Sequence, residues 1–308
     1  MAKHTRFLGL VAAPFTPFRA NGSLNLEIIP TYARFLQRNG VTAAFVCGTT
    51  GEGASMTVAE RKLVAEAWLN GAPNDFPIIV HAGHSCLEDA RELAAHAEKI
   101  GAAAVAALSP YFFKPRNNGE LLAFNIALAA AAPSLPYYFY NIPAMTGMSL
   151  PMKEFCVAAA TSIPNFAGVK YTYEDLPDYE ACIRLEGGRF DMLFGRDEIL
   201  ASAWARGARG FVGSTYNFAA PLYMQIIEAL KAGENEKAER LQATAVEMIQ
   251  AGLSIGASGL AAFKAIMPMV GVDCGPVRLP LTQPPAEMLE RLRAILKEIG
   301  FFSYASKA

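Results

Sequence analysis

Phe166-Ala167-Gly168-Val169-Lys170-Tyr171 is a block of apolar and aromatic residues with a single charge set into it. Six residues with neither helical spacing nor polar alternation read as a strand buried on both faces, as strands of parallel sheets are. Five blocks of the same kind precede it, at residues 7–15, 42–47, 77–82, 103–108 and 136–140. Two follow, at residues 192–194 and 210–212. Each is bounded by Gly, Pro, Asn or Ser. Helix-start signals fall between them. Thr57 with Glu60, Ser85 with Glu88, and Asn117 with Glu120 each match a capping box, a short hydroxyl or amide side chain followed three residues later by Glu. Eight strand–helix units, roughly 25–35 residues apart, make the arithmetic of an α/β (β/α)8 TIM barrel. A doubly wound open sheet is the competing architecture on pattern alone.

After Asn217 the pattern changes. Residues 222–230, 234–253, 260–270 and 287–299 read as helices with no strand between them. One closes the eighth unit, so the barrel is expected over 1–231. The rest form a C-terminal helical extension over 232–308, within one domain spanning 1–308.

Composition fits a large buried core. Of 308 residues, 53 % are hydrophobic and 18 % charged, and the formal net charge is −1. No basic run supplies an electrostatic footprint for nucleic acid or a polybasic patch for a membrane. Partners are expected to be small molecules or copies of the chain itself. Cys47, Cys86, Cys156, Cys182 and Cys274 are scattered, without a CxxC pair, which points to free thiols in the cytoplasm. Lys3-His4-Thr5-Arg6 ahead of apolar residues 7–13 faintly imitates a signal peptide. A first core strand ending near Pro14 explains the same residues. No apolar run reaches the roughly 18 residues that a membrane span needs.

In a barrel the active site lies at the carboxyl ends of the strands. That rule selects Gly48-Thr49-Thr50-Gly51-Glu52, Ser109-Pro110-Tyr111, Tyr140-Asn141-Ile142-Pro143, Lys170-Tyr171-Thr172, Gly195-Arg196-Asp197-Glu198 and Gly213-Ser214-Thr215-Tyr216-Asn217. Lys170 stands out, because burial disfavours a charged lysine and can make its amine nucleophilic near pH 7. A strand-end lysine reaching out to solvent is the plainer alternative. Tyr140 ends the preceding strand, within reach of Lys170 and placed to move a proton; it could equally be a packing residue. Gly48-Thr49-Thr50-Gly51 offers two hydroxyls and exposed N–H groups suited to a small carboxylate, or is an ordinary strand-to-helix turn. His81 and His84 form an HxxH pair without an evident third ligand, so no metal site is expected.

The ordered motifs GTTGE, YNIPAMTG, GVKYT, GRDEI and GSTYN resemble the class I pyruvate-dependent aldolases of the dihydrodipicolinate synthase and N-acetylneuraminate lyase family. The resemblance runs from about Leu10 to Pro280, nearly the whole chain, and looks closest to the lyase branch at Ser109-Pro110-Tyr111-Phe112-Phe113-Lys114-Pro115 and Lys264-Ala265-Ile266-Met267. It implies Lys170 as the Schiff-base nucleophile and Tyr140 as the proton-transfer phenol. Thr49 and Thr50 would hold the 2-oxo acid carboxylate. Thr172, Gly195, Asp197, Glu198 and Ser214 would bind a polyhydroxy tail, since carboxylates accept several O–H bonds. Asp197 and Glu198 could also simply favour a helix N-terminus.

Two departures from the synthases matter. Met145 stands where they carry an arginine for a second carboxylate. Phe112 stands where they carry a tyrosine that relays a proton across a subunit interface, a role Tyr111 could only partly fill. The implied reaction is retro-aldol cleavage of a sialic acid without metal or cofactor, in a homotetramer. Another aldolase of the family, or a barrel kept only for ligand binding, are the alternatives.

Overall fold

The computed structural model describes residues 6–308, so Lys3, His4 and Thr5 of the leader-like stretch lie outside the described residues. Eight strands form one closed parallel barrel in sequence order. They are β1 (Gly9–Ala12), β2 (Val41–Val46), β3 (Ile78–His81), β4 (Ala104–Leu108), β5 (Tyr137–Asn141), β6 (Phe166–Tyr171), β7 (Asp191–Phe194) and β8 (Gly210–Gly213). Register joins β1 to β8 through Leu10–Phe211 and Val11–Val212, which closes the ring and excludes the open doubly wound sheet.

Alternation along each strand divides the core in two. Val11, Phe45, Ile79, Ala106, Tyr138, Tyr140, Leu193 and Val212 point inward and fill the barrel. Their neighbours Leu10, Val46, Val80, Val105, Phe139, Val169, Phe194 and Phe211 point outward into the layer beneath the helices. Each large apolar side chain so buried stabilises the fold by about 1.5–3 kcal/mol. Both faces are covered, which is why the strands are apolar at nearly every position.

Helix starts follow local chemistry in two of the three expected places. Thr57 and Glu60 close a complete capping box ahead of the helix Val58–Gly71. Asn117 accepts from the Glu120 N–H ahead of Asn118–Ala129, while Glu120 turns its carboxylate to the Arg116 N–H instead. The Ser85 cap is a correction. The third helix begins at Leu87 behind Cys86, without a side-chain cap. The Ser85 hydroxyl is buried without a partner, and His84 Nδ1 accepts the Cys86 N–H at 3.0 Å.

The eighth barrel helix starts earlier than residue 222. It runs Tyr216–Lys231, with Pro221 inside it and a non-helical break at Ala219. The proline hid its first turn, because proline removes a hydrogen bond and kinks a helix without always ending it. Beyond it lie the helices Asn235–Leu253, Gly259–Ile266 and Ala286–Glu298, with a tighter turn Met267–Val270 after the second. Among the described residues no helix is long and apolar enough to cross a membrane.

Candidate active site

At the carboxyl end of the barrel opens a cleft of about 390 Å³. Thr49, Thr50, Tyr140, Lys170, Thr172, Gly195, Asp197, Glu198 and Ser214 all line it. The nine side chains and turns named from sequence therefore share one space.

Lys170 points inward because its strand neighbours Val169 and Tyr171 both belong to the outer layer. It is 3 % exposed. Its amine lies 4.0 Å from the ring centres of both Phe45 and Tyr140. Desolvation pulls its pKa down to about 7, opposed by the charge of Asp197. A lysine with that value is substantially neutral at physiological pH, which a nucleophilic amine requires. Tyr140 is its register partner on β5, and its hydroxyl lies 3.3 Å from Thr49 Oγ1. Burial pushes the phenol up to about 12, with Thr49 and Thr172 drawing it back. Thr172 Oγ1 is near enough to be felt electrostatically, yet it closes no well-formed hydrogen bond and stays unpartnered.

The opposite wall is acidic. Asp197 begins a 3₁₀ turn, Asp197–Ile199. Its Oδ2 accepts from the Thr215 hydroxyl at 2.6 Å and from the Thr215 N–H at 3.1 Å. Burial raises this carboxyl to about 6, Thr215 lowers it, and Glu198 raises it further. Asp197 Oδ1 is buried with no protein partner. Two glycines make room for these groups. A Cβ at Gly213 would sit 2.0 Å from Asp197 Oδ1, and one at Gly195 would sit 2.0 Å from Thr172 Oγ1. Arg196 also lines the cleft. It pairs with Glu174 at 2.7 Å and with Glu198 at 3.5 Å, while its Nε stays buried and unpartnered. Buried polar atoms left unpaired carry a desolvation cost, so Thr172, Asp197 and Arg196 mark where a polar ligand would sit.

Sequence reading did not single out Arg196 or Thr215 individually. It also missed the apolar side of the cleft, formed by Ile249, Leu260 and Phe263 from the C-terminal helices. On an amphipathic helix such residues carry no signal that separates cleft lining from core.

The HxxH pair is divided between separate tasks. His81 is buried, with Nδ1 donating to the Cys47 carbonyl at 3.1 Å and Nε2 accepting the Leu108 N–H at 3.3 Å. Burial, with Arg61 beside it, holds its pKa well below the ordinary histidine value. Its ring meets that of Tyr140 edge-on, 5.7 Å between centres. His84 instead accepts the Cys86 N–H. Among the described residues no three His, Cys, Asp or Glu side chains gather as a metal-binding group.

Over residues 6–299 the chain matches the dihydrodipicolinate synthetase family. It is 40 % identical over 302 residues to the N-acetylneuraminate lyase of Mus musculus, covering 97 % of this chain and 94 % of that one. The solved N-acetylneuraminate lyase of Proteus mirabilis aligns with a TM-score of 0.93 at 39 % identity, over 96 % of this chain and 100 % of that one. A dihydrodipicolinate synthase from Bacillus anthracis aligns with a TM-score of 0.87 at 26 % identity, over 94 % of this chain and 98 % of that one.

Proposed function

The chain belongs to the dihydrodipicolinate synthetase family, and from that membership and the cleft's chemistry we propose that it reversibly cleaves N-acetylneuraminate to N-acetylmannosamine and pyruvate through a Schiff base on Lys170. The observation that carries this reading is a buried amine with its pKa near 7, beside a phenol and facing an acidic wall.

The neutral amine of Lys170 attacks the C2 carbonyl of the open-chain sugar acid, and loss of water leaves a protonated imine. The imine nitrogen then draws in the electrons of the breaking C3–C4 bond, giving the pyruvate enamine. The C4 hydroxyl loses its proton as the aldehyde forms. With its pKa at about 12, Tyr140 enters this step as a protonated phenol. It accepts the C4 proton while passing its own to the substrate carboxylate, which Thr49 and Thr50 hold. Reprotonation of the enamine at C3 and attack of water release pyruvate and free Lys170. The imine is itself the electron sink, so the sequence runs on protein groups alone.

Substrate choice follows from charge. Dihydrodipicolinate synthesis presents an aldehyde that carries an amino-acid carboxylate, which calls for a fixed cation near residues 140–147. Met145 stands there, uncharged and 63 % exposed. The cations lining the cleft are Lys170 and Arg196, and Arg196 is engaged by two glutamates. A neutral acetamido polyol instead suits Asp197, Glu198, Thr172 and Ser214. A missing charged partner costs about two orders of magnitude in kcat/KM. Pyruvate release from N-acetylneuraminate should therefore exceed condensation of pyruvate with aspartate semialdehyde by at least about 100-fold in kcat/KM. A preference for the semialdehyde would overturn the lyase assignment.

We further propose a homotetramer working in the cytoplasm. Phe112 and Phe113 support the assembly: they are 76 % and 85 % exposed, packed edge to face with their ring centres 5.0 Å apart. Large apolar side chains left in water commonly mark an interface. Light scattering at micromolar concentration should give four times the chain mass, and a monomer would contradict the proposal. None of the five cysteines is in a disulfide, which supports a reducing setting.

A further inference from the structure

Residues 48–51, the turn between β2 and the following helices, sit between two residues in the left-handed region. Cys47 has φ +59° and Glu52 has φ +53°. Neither is a glycine, and such residues hold this conformation only when their surroundings enforce it. Each has an anchor.

The Cys47 carbonyl accepts from His81 Nδ1. Glu52 is buried, with Oε1 accepting from Lys264 Nζ at 2.7 Å and Oε2 from the Arg278 N–H at 2.7 Å. Lys264 is 1 % exposed and also donates to the Thr16 carbonyl at 2.8 Å. The Thr16 hydroxyl in turn donates to the Gly51 carbonyl at 2.6 Å. A buried ion pair is a poor way to gain stability, because two charges must be taken out of water. Its placement here suggests another use. It ties the far end of the threonine turn to a helix more than two hundred residues away, while His81 ties the near end to β3.

We propose that the Glu52–Lys264 ion pair is a positioning device that holds the threonine turn in its substrate-binding shape without touching substrate. The shape in question directs Thr49 at Tyr140 and keeps both Thr49 and Thr50 on the wall of the cleft. This deepens the Schiff-base reading and rests on it for the identity of the ligand.

The test uses Glu52→Gln, Lys264→Met and the double variant in the full-length chain, with two readouts. One is amide hydrogen exchange at residues 48–53 without ligand. The other is the pyruvate concentration giving half-maximal borohydride-trapped adduct on Lys170. Pyruvate is small enough to report on the turn without involving Leu260 or Phe263 on the Lys264 helix. In all three variants exchange at 48–53 should rise about tenfold or more, and half-saturation by pyruvate should rise by a similar factor. The double variant buries no unpaired charge, so it should regain the melting temperature that the single variants lose. It should not regain pyruvate affinity. Recovery of wild-type exchange and half-saturation together with the melting temperature would reduce the pair to a structural role and overturn the proposal. If wild type traps no adduct on Lys170, the Schiff-base reading fails. Hydrogen exchange then decides alone, with unchanged rates at 48–53 in the double variant overturning the positioning role. Should the single variants fail to fold, the double variant carries both readouts.

Discussion

Lys170→Ala should fold and yet lose pyruvate release from N-acetylneuraminate by about 10⁴-fold or more, the scale expected when a covalent nucleophile is removed. Borohydride with pyruvate should inactivate the wild-type protein and leave a three-carbon adduct on Lys170. An adduct on a different lysine would sink the mechanism.

Stability provides a second, independent measure of the same residue. The folded pKa of Lys170 is about 7 against an ordinary 10.5. At pH below 7 the folded state must hold a buried ammonium, and the cost of doing so is fully present. Between pH 7 and 10.5 the unfolded chain binds the proton that the folded chain has released. The slope of stability with pH is therefore positive in that window. Lys170→Met removes the penalty. It should raise the melting temperature at pH 6, with an advantage that shrinks steadily toward pH 10. The difference corresponds to a few kcal/mol at most, about 1.4 kcal/mol for each pKa unit. A melting temperature that falls equally at both pH values would mean the amine is not strained by burial.

Tyr140→Phe is expected to lower kcat by about 10²–10⁴-fold, the usual worth of a positioned proton-transfer group. The substitution separates chemistry from architecture. The ring that lies 4.0 Å from the Lys170 amine remains, as does its edge contact with His81. Only the hydroxyl opposite Thr49 Oγ1 is lost. Borohydride trapping of pyruvate on Lys170 should therefore proceed at no less than about a tenth of the wild-type rate, while turnover of the sugar acid collapses. Equal losses in both assays would assign Tyr140 to holding the lysine rather than to moving the proton. Retained turnover would remove it from the mechanism.

How far the sequence alone reached is plain from particular elements. The eight strands were legible because a strand covered on both faces must be apolar at nearly every position, and a six-residue apolar block cannot hide. Lys170 was legible for the same reason inverted, as a charge within such a block. The barrel rule then located Tyr140, Thr49, Thr172, Asp197 and Ser214 at strand ends, and all five line the cleft. Less was legible wherever two readings share one local pattern. Ser85 and Glu88 carry the capping-box spacing of Thr57 and Glu60, yet His84 satisfies the Cys86 N–H near that helix start. The helix expected from residue 222 begins at Tyr216 instead, with Pro221 inside a kinked helix.

Tertiary structure alone decided the rest. It closed β8 onto β1, brought Ile249, Leu260 and Phe263 over the cleft, and set Glu52 against Lys264 across the length of the chain. It also decided the charge state of the lysine. Residue identity supplies an amine with a pKa near 10.5, and only burial among Phe45 and Tyr140, with Asp197 in opposition, brings it to about 7. Periodicity and caps are short-range and can be read along a line. Desolvation and long-range pairing depend on what the fold places around a group, which no local stretch of sequence contains.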